Sequence, residues 1–125
     1  HMMIRIDASS PVPIYDQIKS GLKGLVAKGI LKPGDAAPSI RELSAKLKVN
    51  PNTVARAFRE LSVEGFFDSR RGEGSFISEG ALRRVRSGLG ESSSALADSL
   101  RLARRAGLGW KEIEEVVGEI RKEEP

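Results

Sequence analysis

The chain contains no cysteine, which removes disulfides, thiolate nucleophiles, zinc–thiolate sites and iron–sulfur clusters together. Its single histidine is the first residue, and His1-Met2 ahead of the start-like Met3 reads as an expression scar. A native chain with neither Cys nor His lacks the usual nucleophile and the mid-pH general base, so no enzyme is expected. No apolar run reaches the ~18 residues of a membrane helix. No basic start followed by a long apolar stretch marks a signal peptide either. The expectation is a cytoplasmic protein with no cofactor, no metal and no membrane partner. What is present is ordinary globular composition: 125 residues, 39% hydrophobic and 30% charged, too short for a large catalytic barrel and not disordered. Lys and Arg number 21 against 17 Asp and Glu, a net charge of +4, and the pI near 9.7 directs attention to an anionic partner such as nucleic acid.

Residues 1–10 hold the scar and a brief strand or extended arm carrying Ile4 and Ile6. Pro13 is placed to open a helix whose apolar positions Ile14, Ile18, Leu22, Leu25 and Val26 recur at spacings of three and four. Gly21 and Gly24 weaken that helix by about 1 kcal/mol each, which points to another element packed closely over them. Pro33-Gly34-Asp35 makes a turn. Ser39-Ile40-Arg41-Glu42 is a capping box that starts a second helix, with Ile40, Leu43 and Leu47 facing inward. After Lys48-Val49, Asn50 caps a third helix, Pro51 takes its first position, and Val54, Ala57, Phe58 and Leu61 form its buried stripe. Two short strands around Phe66–Ser69 and Ser75–Ser78 enclose the tip Arg70-Arg71-Gly72-Glu73-Gly74. After Gly80 two more helices are expected, and Ser87–Ser94 reads as a hinge or a helix cap.

The spacing of the second and third helices, followed by a hairpin, is that of a winged helix-turn-helix over residues 11–80. On the third helix Asn52, Arg56 and Arg59 lie opposite the buried stripe, with Thr53 at its edge. Asn suits an adenine edge, Arg a guanine edge, and Thr a phosphate or a thymine methyl. Arg41 sits in the first turn of the second helix, where the positive helix end assists binding of a phosphate; the alternative is a surface pair with a neighbouring Glu. Arg70 and Arg71 precede Gly72, which permits close backbone approach to a phosphate or the minor groove. Gly72-Glu73-Gly74 lacks the other positions of a phosphate loop, and Glu112, Glu114 and Glu115 read as a solvated helix face.

The stretch from Gly29 through Pro33-Gly34-Asp35, Ser39-Ile40-Arg41-Glu42-Leu43, Val49-Asn50-Pro51-Asn52-Thr53-Val54 and Arg70-Arg71-Gly72-Glu73-Gly74-Ser75-Phe76 resembles the N-terminal winged helix of GntR-family transcription regulators. The resemblance implies a DNA-binding repressor acting as a homodimer on a two-fold symmetric double-stranded operator. It also implies that positions matched by Arg41, Asn50, Pro51, Asn52, Thr53 and Gly72 touch or approach DNA. The candidate DNA-binding set is therefore Ser39, Arg41, Asn50, Pro51, Asn52, Thr53, Arg56, Arg59, Arg70, Arg71 and Gly72. Two departures show: Ala37 stands where members often have Leu, and Lys48 where they often have Gly, so either a left-handed Lys48 costs on the order of 1 kcal/mol or the turn adopts a different conformation.

The two-helix tail, residues 81–125, is similar to that of the short-tailed YtrA-like subfamily, so the aminotransferase-like activity of other members is not expected. Leu96, Leu100, Trp110, Ile113, Val116, Val117 and Ile120 are the candidate dimerisation residues, since a segment near this size does not build its own core without help; the alternative is that both helices fold back on their own winged helix. The competing reading is a winged-helix protein-interaction module without specific DNA binding. Nothing in the sequence assigns a small-molecule effector.

Overall fold

The structure is a computed structural model describing residues 4–123; His1, Met2 and Met3 lie outside the described residues, as do the last two. In order the elements are α1 (Ile14–Ala27), α2 (Ile40–Leu47), α3 (Pro51–Val63), β1 (Phe67–Arg70), β2 (Gly74–Ile77), α4 (Ala81–Arg105) and α5 (Trp110–Glu123). The mainly helical fold with a small β wing is thus the one expected from the pattern. The chain divides into two units, His1–Ser87 and Gly88–Pro125.

In the first unit, α1, α2 and α3 contribute Ile18, Leu22, Leu25, Val26, Leu43, Val54, Ala57, Phe58 and Leu61 to one buried cluster. The turn before the wing and the wing itself add Phe66, Phe67 and Ile77, with Phe58 and Phe67 meeting edge to face at 5.1 Å. Ala81 and Val85 belong to the same cluster, so the first two turns of α4 pack in this unit. The segment before α1 forms no strand among its described residues. It is an extended arm tethered by Gln17, whose side chain donates to the Asp7 and Val12 carbonyls at 2.9 Å each and accepts from the Asp7 N–H at 2.7 Å. Ile4 on that arm covers Gly21, where a Cβ would come within 2.7 Å of Ile4 Cγ2. The packing expected over the α1 glycines therefore exists at Gly21, whereas Gly24 has open space around it.

Ser39 caps α2 by accepting from the Glu42 N–H at 3.0 Å. The return half of the capping box closes differently from the expectation, with the Ser39 hydroxyl, which lies between the two groups, donating to the Glu42 carboxylate at 3.1 Å. Asn50 Oδ1 accepts from the Asn52 N–H at 2.8 Å and so starts α3. Three helices end on a glycine of positive φ: Gly29 at 75°, Gly65 at 84° and Gly107 at 105°. At each of these ends the next residue's N–H reaches back to a carbonyl of the last turn, at 2.9–3.0 Å. The end of α2 uses the same device with Lys48, at φ 57° and ψ 45°.

β1 and β2 pair antiparallel with Phe67 opposite Ile77 and Arg70 opposite Gly74. The free edge of β2 binds the turn ahead of α2. Gly34 N–H donates to Ile77 O and Ile77 N–H to Asp35 O, both at 2.8 Å, and Ala37 N–H donates to Ser75 O at 2.9 Å. This rung fixes the wing relative to the start of α2.

The second unit comprises the remainder of α4 and α5. Ser87–Ser94, read as a hinge or cap, is helical throughout, because α4 contains no proline and Gly or Ser weakens a helix by no more than about 1 kcal/mol per residue. Ile113 is the only buried side chain among the described residues of this unit. The Gly109 N–H donates to Glu112 Oε1 at 3.1 Å at the start of α5, and the Arg104 guanidinium lies 4.7 Å from the Trp110 ring centre.

Candidate nucleic-acid interface

The buried stripe of α3 is Val54, Ala57, Phe58 and Leu61, so Asn52, Arg56 and Arg59 are turned outward and are exposed, with Thr53 half-buried at their edge. The Asn52 and Thr53 side chains make no hydrogen bond among the described residues, and Arg59 has no partner there either. Ser39 and Asn50 spend their side-chain oxygens as helix caps, and Pro51 supplies the first turn of α3. These three shape the two helix ends, whose free backbone N–H groups carry partial positive charge. Arg41 is exposed in the first turn of α2, and the pair with a neighbouring glutamate that sequence left open is not formed.

Two arginines are held rather than free. Arg56 donates from Nε to Glu60 Oε2 at 3.1 Å, and its guanidinium lies 3.7 Å from the ring centre of Tyr15 on α1. Arg70 stacks on Phe76 across the wing at 3.9 Å. At the tip Arg71 has no partner among the described residues, and the Glu73 N–H closes the turn onto Arg70 O at 2.9 Å. Gly72 takes φ 78° in this turn, a conformation that a side chain would strain. The sequence gives no sign of the Tyr15–Arg56 contact, because the two residues lie on different helices 41 positions apart.

Behind this face α1 and α3 are joined by ion pairs. Lys19 binds Glu60 at 2.9 Å and also contacts Glu64, and Lys23 binds Glu64 at 2.9 Å. The hydrogen bond from Lys19, with help from Arg56, holds the Glu60 carboxyl below the usual range despite some desolvation. Burial pushes Glu64 up, but Lys19 and Lys23 outweigh it and the group is lowered. Lys19 is pressed down by burial and raised further by its two carboxylates, so its net shift is upward.

Charge is divided unevenly. The first unit has 15 Lys and Arg against 9 Asp and Glu, a net of +6, while the second has 6 against 8, a net of −2. The basic excess therefore belongs wholly to the unit that carries Arg41, Arg59 and Arg71. Among the described residues no cluster of acidic or histidine side chains is placed to hold a metal, and no helix is long and apolar enough to cross a membrane.

The sequence profile of bacterial regulatory proteins of the gntR family matches residues 14–77, from the first residue of α1 to the last of β2, more than half of the chain. The chain belongs to the gntR family. It is 52% identical over 79 residues to the HTH-type transcriptional repressor YtrA of Bacillus subtilis, a match covering 63% of this chain and 61% of that protein. The chain spans about three-fifths of the length of three curated relatives it matches. YtrA from Sulfolobus acidocaldarius, described as a GntR-family transcription factor, is 39% identical, with 74% of this chain and 97% of that chain covered and a TM-score of 0.59. A GntR family transcriptional regulator from Listeria monocytogenes superposes with a TM-score of 0.70 at 27% identity, covering 91% of this chain and 98% of that one. These relatives are regulators, not enzymes.

In the second unit of this gntR-family chain, Leu96, Trp110, Val116, Val117 and Ile120 are all exposed, Leu96 at 62% and Trp110 at 59%. Leu100 is half-buried, and Ile113 is buried within the unit itself. Two further exposed leucines, Leu89 and Leu102, escaped the sequence reading. The signal for Leu89 was present: Leu82, Leu89, Leu96 and Ala103 recur every seven residues along α4.

Proposed function

We propose that the chain is a sequence-specific DNA-binding transcription repressor that binds a two-fold symmetric operator as a homodimer. The observation that carries the reading is the convergence of unengaged side chains, Arg41 on α2, Asn52 and Arg59 on α3 and Arg71 on the wing, on the unit holding all of the positive excess. Residues 11–80 are assigned to DNA binding, with Ser39, Asn50 and Pro51 shaping the helix ends and Arg56, Arg70 and Gly72 completing the face. Membership of a family of bacterial regulatory proteins, and likeness to a protein named as a repressor, support the assignment.

Residues beyond Ser87 are assigned to dimerisation, with a second copy as the partner. Leu82 is packed against the winged-helix core, but Leu89, Leu96 and Ala103 continue the seven-residue recurrence beyond it and support a like helix as partner, since that period keeps an apolar seam against another helix. A two-fold pair presents two copies of α3 to half-sites about one helical turn apart, or a multiple of it. In a binding titration across salt concentrations, affinity for duplex DNA should fall by about 0.9 log unit per phosphate contact for each tenfold rise in salt. Arg41→Ala should weaken all duplexes alike, and Asn52→Ala should relax discrimination at one base pair by about 1–3 kcal/mol. A flat salt response refutes the reading and favours a protein-interaction module.

A further inference from the structure

We infer that Tyr15 is a positioning residue for DNA reading: its ring fixes the Arg56 guanidinium so that the two terminal nitrogens are presented in one orientation to the duplex. The inference rests on the proposed reading of α3 as the DNA-facing helix.

Arg56 lies between Asn52 and Arg59 on the outward stripe, and its side chain is 54% exposed. An arginine in that setting would ordinarily sample many rotamers, a freedom that must be given up when it binds. Here three groups limit it. The Tyr15 ring lies beneath the guanidinium at 3.7 Å, Glu60 accepts from Nε at 3.1 Å, and Glu60 is itself bound by Lys19 at 2.9 Å. Tyr15 and Lys19 both lie on α1, so the helix that braces α3 also sets the direction of its arginine. Nη1 and Nη2 make no hydrogen bond among the described residues. They are the pair a guanidinium uses for end-on, bidentate contact with the guanine edge.

Lys19 has a second effect. A bare Glu60 carboxylate beside Arg56 would repel phosphates, and the Lys19 ammonium offsets that charge. The arrangement leaves the positive character of Arg56 available while its orientation is restricted. A base edge demands a fixed direction, whereas a phosphate accepts an arginine from many. Releasing Arg56 from the ring therefore lowers selectivity more than it lowers affinity.

The test uses the full chain, a duplex enriched by the wild-type protein from a random pool, and a mixed-sequence duplex of equal length, both titrated at one salt concentration. Tyr15→Leu is expected to lower the ratio of the two affinities about two- to fivefold, the range of an exposed cation–π contact. Tyr15→Phe should retain the ratio, because the ring suffices. In an Arg56→Leu background Tyr15→Leu should change the ratio no further. A measurement independent of any variant is the NMR shift of the Arg56 side chain. Tyr15 is the sole tyrosine, and its ring current should move the Arg56 resonances upfield in the free protein and in the complex. An unchanged ratio in Tyr15→Leu, effects of Tyr15→Leu and Arg56→Leu that simply add, or loss of the ring-current shift on DNA binding each overturns the inference while leaving the DNA reading intact. Failure of the wild-type chain to enrich any duplex overturns both.

Discussion

Lys48 is the one residue other than glycine with a positive φ among the described residues, and replacing it tests how this helix-turn-helix is closed. At φ 57° and ψ 45° the Cβ of an L-residue crowds the following carbonyl, at a cost of about 1–2 kcal/mol. Glycine removes the clash but loosens the unfolded chain by about 0.4–1 kcal/mol, so Lys48→Gly should stabilise by a net of roughly 0.5–1 kcal/mol. For a unit of this size that corresponds to a rise in Tm of about 3–6 °C, followed by circular dichroism. Lys48→Ala is the control. It removes the same exposed, unpartnered side chain and keeps the Cβ, so it should stay within about 0.5 kcal/mol of the parent. A Gly variant no more stable than the Ala variant would show that the turn relaxes around the lysine and that the assigned strain is absent.

Gly24→Ala meets open space in the interior of α1 and should stabilise by about 0.5–1 kcal/mol in urea unfolding. Gly21→Ala should show no such gain, because its Cβ displaces Ile4, and adding Ile4→Ala should restore it. In acid, stability supplied by the lowered Glu60 and Glu64 is present above the 4.5 of an unperturbed glutamate and lost as pH falls through their folded values. The raised Lys19 keeps its share until pH climbs past 10.5, so Lys19→Met should flatten the acid limb of a stability–pH curve and leave the neutral region flat. Leu89→Glu or Ile120→Glu should convert a dimer to a folded monomer in sedimentation at micromolar concentration; a dimer that persists in both places the interface elsewhere.

The helices were legible where one face is apolar and the ends carry their own chemistry. Ser39, Asn50-Pro51 and Gly65 mark boundaries because capping and chain reversal depend on residues within a few positions of one another. The same locality explains what was hidden. The rung between residues 34–37 and β2 joins segments about 40 residues apart and leaves no period in the sequence. Tyr15 beneath Arg56 is likewise a contact between helices, set by how α1 lies across α3. The helical run through Ser87–Ser94 was obscured for another reason: Gly and Ser lower propensity without stopping a helix, and Leu82, Leu89 and Leu96, spaced seven residues apart, carry the pattern across it. Within the candidate face, the stripe of Asn52, Arg56 and Arg59 followed from helical geometry alone, but whether each arginine is held or free required the structure.

That distinction bears on how few aromatic residues the chain uses. Of its six, four lie against a cation: Tyr15 with Arg56, Phe66 with Lys23, Phe76 with Arg70 and Trp110 with Arg104. The other two, Phe58 and Phe67, pack on each other in the core. A ring at the margin of a core has one side in contact with aliphatic groups and another toward water, and a guanidinium covers the wet side at less cost than an ammonium because it is planar and weakly hydrated. Three of the four cations are accordingly arginine. On the outward face this sorts the charges into two kinds. Arg41, Arg59 and Arg71 are unheld, which suits contacts with phosphates that tolerate many directions, while Arg56 and Arg70 are set by rings and suit contacts whose value depends on direction. If this face binds DNA as proposed, the free arginines supply attraction, and the held arginines together with Asn52 supply discrimination.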